Sequence, residues 1–145
     1  MRTLAAISGL ALLAVTPAWA LEFRSVAEAA VMYDAPSQKA KPVFVVARGT
    51  PVEVVVNLEG WTKVRDAAGD ISWIEKQSLA EKRMLIVTAR SADVRAQAES
   101  AAALVFEADK DVVLELVEAG PPGWAKVRHR DGQSGFVRAN QVWGL

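Results

Sequence analysis

Cysteine is absent from the 145 residues, and histidine occurs once, at His129. Without cysteine no disulfide can staple the fold, no thiolate can act as nucleophile, and a zinc cluster lacks its commonest ligands. A Ser-His-Asp arrangement needs a histidine held by an acid and aimed at a nucleophile. His129 stands between Arg128 and Arg130 beside a turn, which predicts a solvated surface side chain. Excess charge of either sign is also missing, with 17 Lys and Arg against 17 Asp and Glu. Nucleic-acid binders carry a basic excess or stripe, so nucleic acid is not an expected partner. Asp66, Asp70, Asp109, Asp111 and Asp131 lie in turns without the spacing of a calcium loop. No Gly-rich phosphate loop is present. A carboxylate pair for sugar hydrolysis is the one catalytic arrangement left open. The expectation is therefore no metal, no cofactor, no catalytic residue and no enzymatic activity.

Long apolar runs are equally scarce. The one candidate, Leu4 to Val15, follows the basic start Met1-Arg2-Thr3 and precedes Thr16-Pro17-Ala18-Trp19-Ala20. A basic start, a short apolar stretch and an Ala-x-Ala ending describe a secretory signal peptide. The run falls short of the roughly 20 apolar residues that cross a bilayer. Residues 1–20 are thus expected to be cleaved, with no stable membrane insertion and no lipidated cysteine. The protein is expected in the periplasm or secreted.

What the sequence does contain is a repeat. Gly60-Trp61-Thr62-Lys63-Val64-Arg65 is followed by Gly69 and Ile71-Ser72-Trp73-Ile74. At a spacing of 63 stands Gly123-Trp124-Ala125-Lys126-Val127-Arg128, then Gly132 and Ser134-Gly135-Phe136-Val137. A fixed internal period signals one unit used twice. The units run over residues 21–82 and 83–145, with a linker around Glu81 to Met84, and each is near the lower size limit of a domain that folds alone. Upstream, Val31 to Ser37 aligns with Val94 to Ser100 at the same spacing, which sets Ala96 against Tyr33. Between these anchors the β-branched runs Val52–Val56 and Val112–Val117 sit about 60 apart, so three extra residues are expected at Gly120-Pro121-Pro122.

Short β-branched runs between turn signals read as strands. Trp61–Arg65 and Ile71–Ile74 form one expected hairpin, and Trp124–Arg128 with Gly135–Val137 form its copy around Asp131-Gly132. Gln97 to Ala108 is read as a loop leading into a strand, with a helical turn as the alternative. The fold class is all-β, two tandem small barrels.

Alternation along a strand then sorts the side chains. Val64 must face inward, so Trp61, Lys63 and Arg65 share the outer face, with Trp73 beside them once Ile74 points in. Likewise Trp124, Lys126 and Arg128 lie together near Phe136, with Val127 and Val137 inside.

The repeated Gly-Trp-x-Lys-Val-Arg element, the turn with Gly and the following aromatic and β-branched pair resemble the bacterial SH3-like domain family. Val31-Met32-Tyr33-Asp34-Ala35-Pro36-Ser37 is similar to that family's opening loop, and the closing Val142-Trp143-Gly144-Leu145 is similar to the end of one exported subgroup. The resemblance implies tandem SH3-like barrels of five or six bent strands. It also implies binding modules of the bacterial envelope that recognise cell-wall peptidoglycan or an envelope protein peptide. Tyr33, Trp61, Lys63, Arg65, Trp73, Trp124, Lys126, Arg128 and Phe136 are the candidate ligand-binding residues, with the first unit favoured because it has Tyr33 in its opening loop. Aromatic faces suit peptides and sugar rings, and a neighbouring cation suits a carboxylate. The alternative is a structural or adaptor protein, whose repeated aromatic faces pack the two barrels together or pair the chain with itself as a homo-oligomer.

Overall fold

The computed structural model describes residues 21–145, and the expected signal peptide lies outside the described residues. Among the described residues, fourteen strands form two seven-stranded antiparallel sheets of identical order. The first contains β1 (Phe23–Val26), β2 (Ala30–Tyr33), β3 (Pro42–Val46), β4 (Pro51–Asn57), β5 (Trp61–Arg65), β6 (Ile71–Glu75) and β7 (Leu79–Ala80). The second contains β8 (Met84–Val87), β9 (Ser91–Arg95), β10 (Leu104–Asp109), β11 (Val113–Ala119), β12 (Trp124–Arg128), β13 (Ser134–Arg138) and β14 (Val142–Trp143). In each sheet the strands run third, second, sixth, fifth, fourth, first, seventh. The all-β tandem architecture is as the repeat predicts. The seventh strand is a two-residue piece beyond the expected five or six. Residues 97–103 are turn and loop, so the helical alternative falls away.

Each barrel closes on a small apolar core. Val26, Met32, Val52, Val64 and Ile74 fill the first. Leu85, Val87, Ala92, Val94, Leu114, Val127, Val137 and Val142 are among those that fill the second. Val64, Ile74, Val127 and Val137 are fully buried, as alternation requires. Thr62 and Ser72 share the inward face of the first barrel, and the Ser72 hydroxyl donates to Met32 Sδ at 3.2 Å.

The Gly of each Gly-Trp motif has a definite task. Gly60 and Gly123 adopt φ of 76° and 87°, a region costly for residues with a Cβ. Their carbonyls then accept the N–H of Lys76 at 3.0 Å and of Ala139 at 2.8 Å. This ties the start of β5 and of β12 to the short 3₁₀ turns Lys76–Ser78 and Ala139–Gln141. Those turns in turn swing β7 and β14 back onto β1 and β8.

The strand register corrects the upstream alignment. Tyr33 is paired with Trp73, and Arg95 with Phe136. Tyr33 also opposes Pro42, and Arg95 opposes Leu104. The loop hydrogen bonds agree, since Ser37 N–H to Ala35 O recurs as Glu99 N–H to Gln97 O, both at 2.8 Å. The equivalent of Tyr33 is therefore Arg95, not Ala96. Glu53 faces Arg65 as Glu115 faces Arg128, so β4 and β11 stand 62 positions apart rather than about 60. The second unit gains one residue between β8 and β9 and one at Gly120–Gly123, instead of three at the latter.

Candidate functional site

Tyr33, Lys63 and Trp73 form a ladder across three neighbouring strands. Trp73 on β6 is the register partner of both Tyr33 on β2 and Lys63 on β5. The Lys63 ammonium sits 5.8 Å from the Trp73 ring centroid. Trp61, two residues before Lys63, turns its ring to the edge of Tyr33 at 5.5 Å and 82°, a favourable aromatic geometry. All four side chains are half-buried on the outer face. Arg65 is drawn away from this group by Glu53, with Nη1 at 3.2 Å from Oε2.

Beside the ladder lies a cleft of about 500 Å³, lined by Pro36, Ser37, Gln38, Lys39, Gly60, Trp61 and Glu75. One wall is the loop between β2 and β3, and the other is the start of β5 with the end of β6. Glu75 is the register partner of Trp61. Its carboxylate accepts the amides of Gln38 at 2.8 Å and Gln77 at 2.7 Å. Glu75 was not among the sequence-derived candidates. The signal was available, since it stands two residues after Trp73 and must share its face.

The second barrel builds the equivalent face differently. Arg95 takes the place of Tyr33, donating to Ala102 O and to Asp93 Oδ2, each at 2.9 Å. Lys126 lies 6.0 Å from the Phe136 ring and 3.8 Å from Glu118. Arg138 takes the place of Glu75; its guanidinium stacks 4.8 Å from the Trp124 centroid and donates to Ser100 Oγ. Arg128 is exposed and 3.6 Å from Glu115. His129 is only partly solvated, less than expected. Only 27% of its side chain is exposed, its ring lies 5.8 Å from Phe106, and Nδ1 stands 3.2 Å from Asp131 Oδ1. The Gln133 N–H bond, and with it His129 and Arg130, holds the Asp131 carboxyl below the usual aspartate range.

The repeated aromatic faces do not pack the barrels together. That contact uses Phe23 of β1 and Trp143 of β14, edge to face at 5.2 Å and 89°. Arg83 stacks 5.3 Å from Phe23 and donates to the Gly144 carbonyl. Trp61, Trp73 and Trp124 instead meet side chains of their own barrel.

No curated protein matches the chain. Among solved structures it is similar to NlpC2 and NlpC1 from Trichomonas vaginalis, at 13% and 14% identity and a TM-score of 0.40 for both. It is also similar to an NlpC/P60 family protein from Bacillus cereus, at 15% identity and a TM-score of 0.39. These alignments cover 88%, 92% and 83% of this chain but only 49%, 50% and 55% of the other chains, so it spans about half their length. The sequence model of the bacterial SH3 domain matches residues 26–81 and again residues 89–144. Two matches of this extent, each on one of two sheets of identical strand order, show that the chain belongs to the bacterial SH3 domain family, as a tandem pair.

Proposed function

We propose that the chain is an exported, non-catalytic binding module of the bacterial envelope, and that its first barrel recognises a peptide segment of cell-wall peptidoglycan. The observation that carries this reading is the cleft beside Trp61. It places an aromatic wall, a carboxylate and an exposed loop around one open space on the first barrel. Such a groove fits an extended chain with alternating polar and apolar contacts. The tandem bacterial SH3 assignment supports the cell-wall context. The barrel-packing form of the adaptor alternative loses support, because the inter-barrel contact runs through Phe23 and Trp143 rather than the repeated aromatic faces; pairing of the chain with itself is the form of that alternative that stays open.

The test is retention of purified protein on insoluble wall sacculi at low salt. Wild type is expected to be retained, and Trp61→Ala to lose retention. The half-buried Trp61 ring is expected to cost about 1–2 kcal/mol of stability on truncation, less than the roughly 3–5 kcal/mol of a fully buried aromatic. Trp124→Ala, whose ring is already covered by Arg138, is expected to keep retention. Absence of retention in wild type would refute the reading. So would equal loss in both variants, in step with a collapse of melting temperature.

A further inference from the structure

One equivalent position carries opposite charge in the two barrels, and this difference points to a ligand class. Trp61 on β5 faces Glu75 on β6, and Trp124 on β12 faces Arg138 on β13, in the same register. In the second barrel the Arg138 guanidinium lies on the Trp124 ring and is tied to Ser100 in the β9–β10 loop. The chain's own cation thus fills the space in front of that ring. Among the described residues, the rings with a cation over them are Phe23, Trp73, Trp124 and Phe136. Trp61 is not one of them, although its motif is the same. Its neighbour is an acid, and the space in front of it is the open cleft of about 500 Å³.

The groups around that cleft are those that stabilise an ammonium. An aromatic ring attracts a cation through its quadrupole. A carboxylate beside it adds a charge-assisted hydrogen bond. Glu75 is held in place by the Gln38 and Gln77 amides, one on each oxygen, and each oxygen keeps a further acceptor site. Lys39 lines the same cleft and supplies the counter-charge for a carboxylate on the same ligand.

We propose that the cleft between Trp61 and Glu75 binds a primary ammonium group of a peptide, and that Arg138 occupies the equivalent place in the second barrel as an internal substitute. The proposal rests on the reading of the first-barrel cleft as the ligand site. The ammonium belongs either to a side chain or to a peptide N-terminus, and the probes separate these sources.

The full chain is titrated with N-acetyl-Ala-Lys, with the same dipeptide acetylated on the lysine amine, and with Ala-Ala, while the amide resonances of Gln38 and Gly60 are followed. Saturable shifts at both amides are expected with a free amine, and at least tenfold weaker binding when the lysine amine is acetylated. Tighter binding of N-acetyl-Ala-Lys assigns the side-chain amine, and tighter binding of Ala-Ala assigns the N-terminus. Glu75→Gln is expected to weaken binding at least fivefold at unchanged melting temperature. Glu75→Arg, which copies the second barrel, is expected to abolish it. Equal binding of the free and acetylated lysine probes, with Ala-Ala binding no tighter than either, would overturn the proposal. So would unaltered binding by Glu75→Arg, or no shift at Gln38 and Gly60 with any probe. Undiminished retention on sacculi whose amines have been acetylated would sink the ammonium assignment and leave wall binding standing. Probe binding without retention on untreated sacculi would support the ammonium site and refute the wall.

Discussion

Arg95 shows how one exchange turns an open aromatic position into a clamp. It bonds the Ala102 carbonyl across the β9–β10 loop and Asp93 on its own strand, with 24% of its side chain exposed. Tyr33 at the equivalent place offers a ring to Trp61 instead. Removing Arg95 leaves a loop carbonyl without its charged donor. Arg95→Ala is therefore expected to cost about 1–2 kcal/mol, discounted for the partial exposure of Asp93. Hydrogen exchange at Ala96, whose N–H bonds Ala103 O across the same loop, is expected to speed up with it. Unchanged exchange at Ala96 together with an unchanged melting temperature would show that Arg95 does not hold the loop. At this scale the sequence was partly legible. The outward placing of Trp61, Lys63, Trp73, Trp124 and Phe136 followed from alternation against Val64, Ile74, Val127 and Val137. The partner of Tyr33 did not, because an ungapped alignment at the 63-residue spacing of the Gly-Trp motifs carries the single extra residue at Gly120–Gly123 back into β9. Moving the comparison by one converts Ala96 into Arg95.

At the scale of the element, β6 and β13 occupy the same place yet meet their neighbours differently. Ser72 on β6 uses its hydroxyl to reach Met32 of β2. Its equivalent, Gly135 on β13, lies so close to β9 that a Cβ there would stand 2.5 Å from Arg95 O and 2.9 Å from Val94 Cγ1. The first obstacle is backbone, which cannot swing aside as a long side chain does. Gly135→Ala is accordingly expected to destabilise the second barrel by about 1–3 kcal/mol, the usual cost of overpacking. Ser72→Ala, which removes only a weak bond to sulfur, is expected to cost less than about 1 kcal/mol. Denaturant melts of the two variants decide this, and a Gly135→Ala variant as stable as wild type would mean that β9 can move away freely. The hairpins β5–β6 and β12–β13 were legible because alternation, turn and glycine all agree there. The opening strands β1 and β8 and the edge strands β3 and β10 carry weaker signals. Pro42 begins β3 as proline can on an edge strand, and the Ala-rich approach to β10 has no turn residue to mark where the strand starts. Their pairing is set by the sheet they join and not by their own sequence.

The two barrels meet through residues that lie 120 positions apart, Phe23 and Trp143. Phe23 is 5% exposed yet belongs to neither barrel's apolar core, so its burial comes from the partner barrel. Arg83, in the short connection between β7 and β8, caps the contact by stacking on Phe23 and bonding the Gly144 carbonyl. Lys82 adds a half-exposed bridge to Glu115 at 3.5 Å, worth little alone. No periodicity links Phe23 to Trp143, because the repeat aligns each with a different kind of partner. Their contact exists only once both barrels have formed. Units of this size bury little surface alone, so the shared aromatic contact is expected to couple their unfolding. Wild type should then melt in one calorimetric transition, with calorimetric and van 't Hoff enthalpies equal. Trp143→Ala removes the ring that covers Phe23 and is expected to cost about 2–4 kcal/mol. The loss falls on the contact and not on either core, so the single transition should separate into two. The wall-retention test should be unaffected at temperatures where the first barrel stays folded, since Trp61, Glu75 and the cleft make no use of Trp143. A Trp143→Ala variant that still melts in one transition at the wild-type temperature would show that the barrels are coupled by something other than this contact.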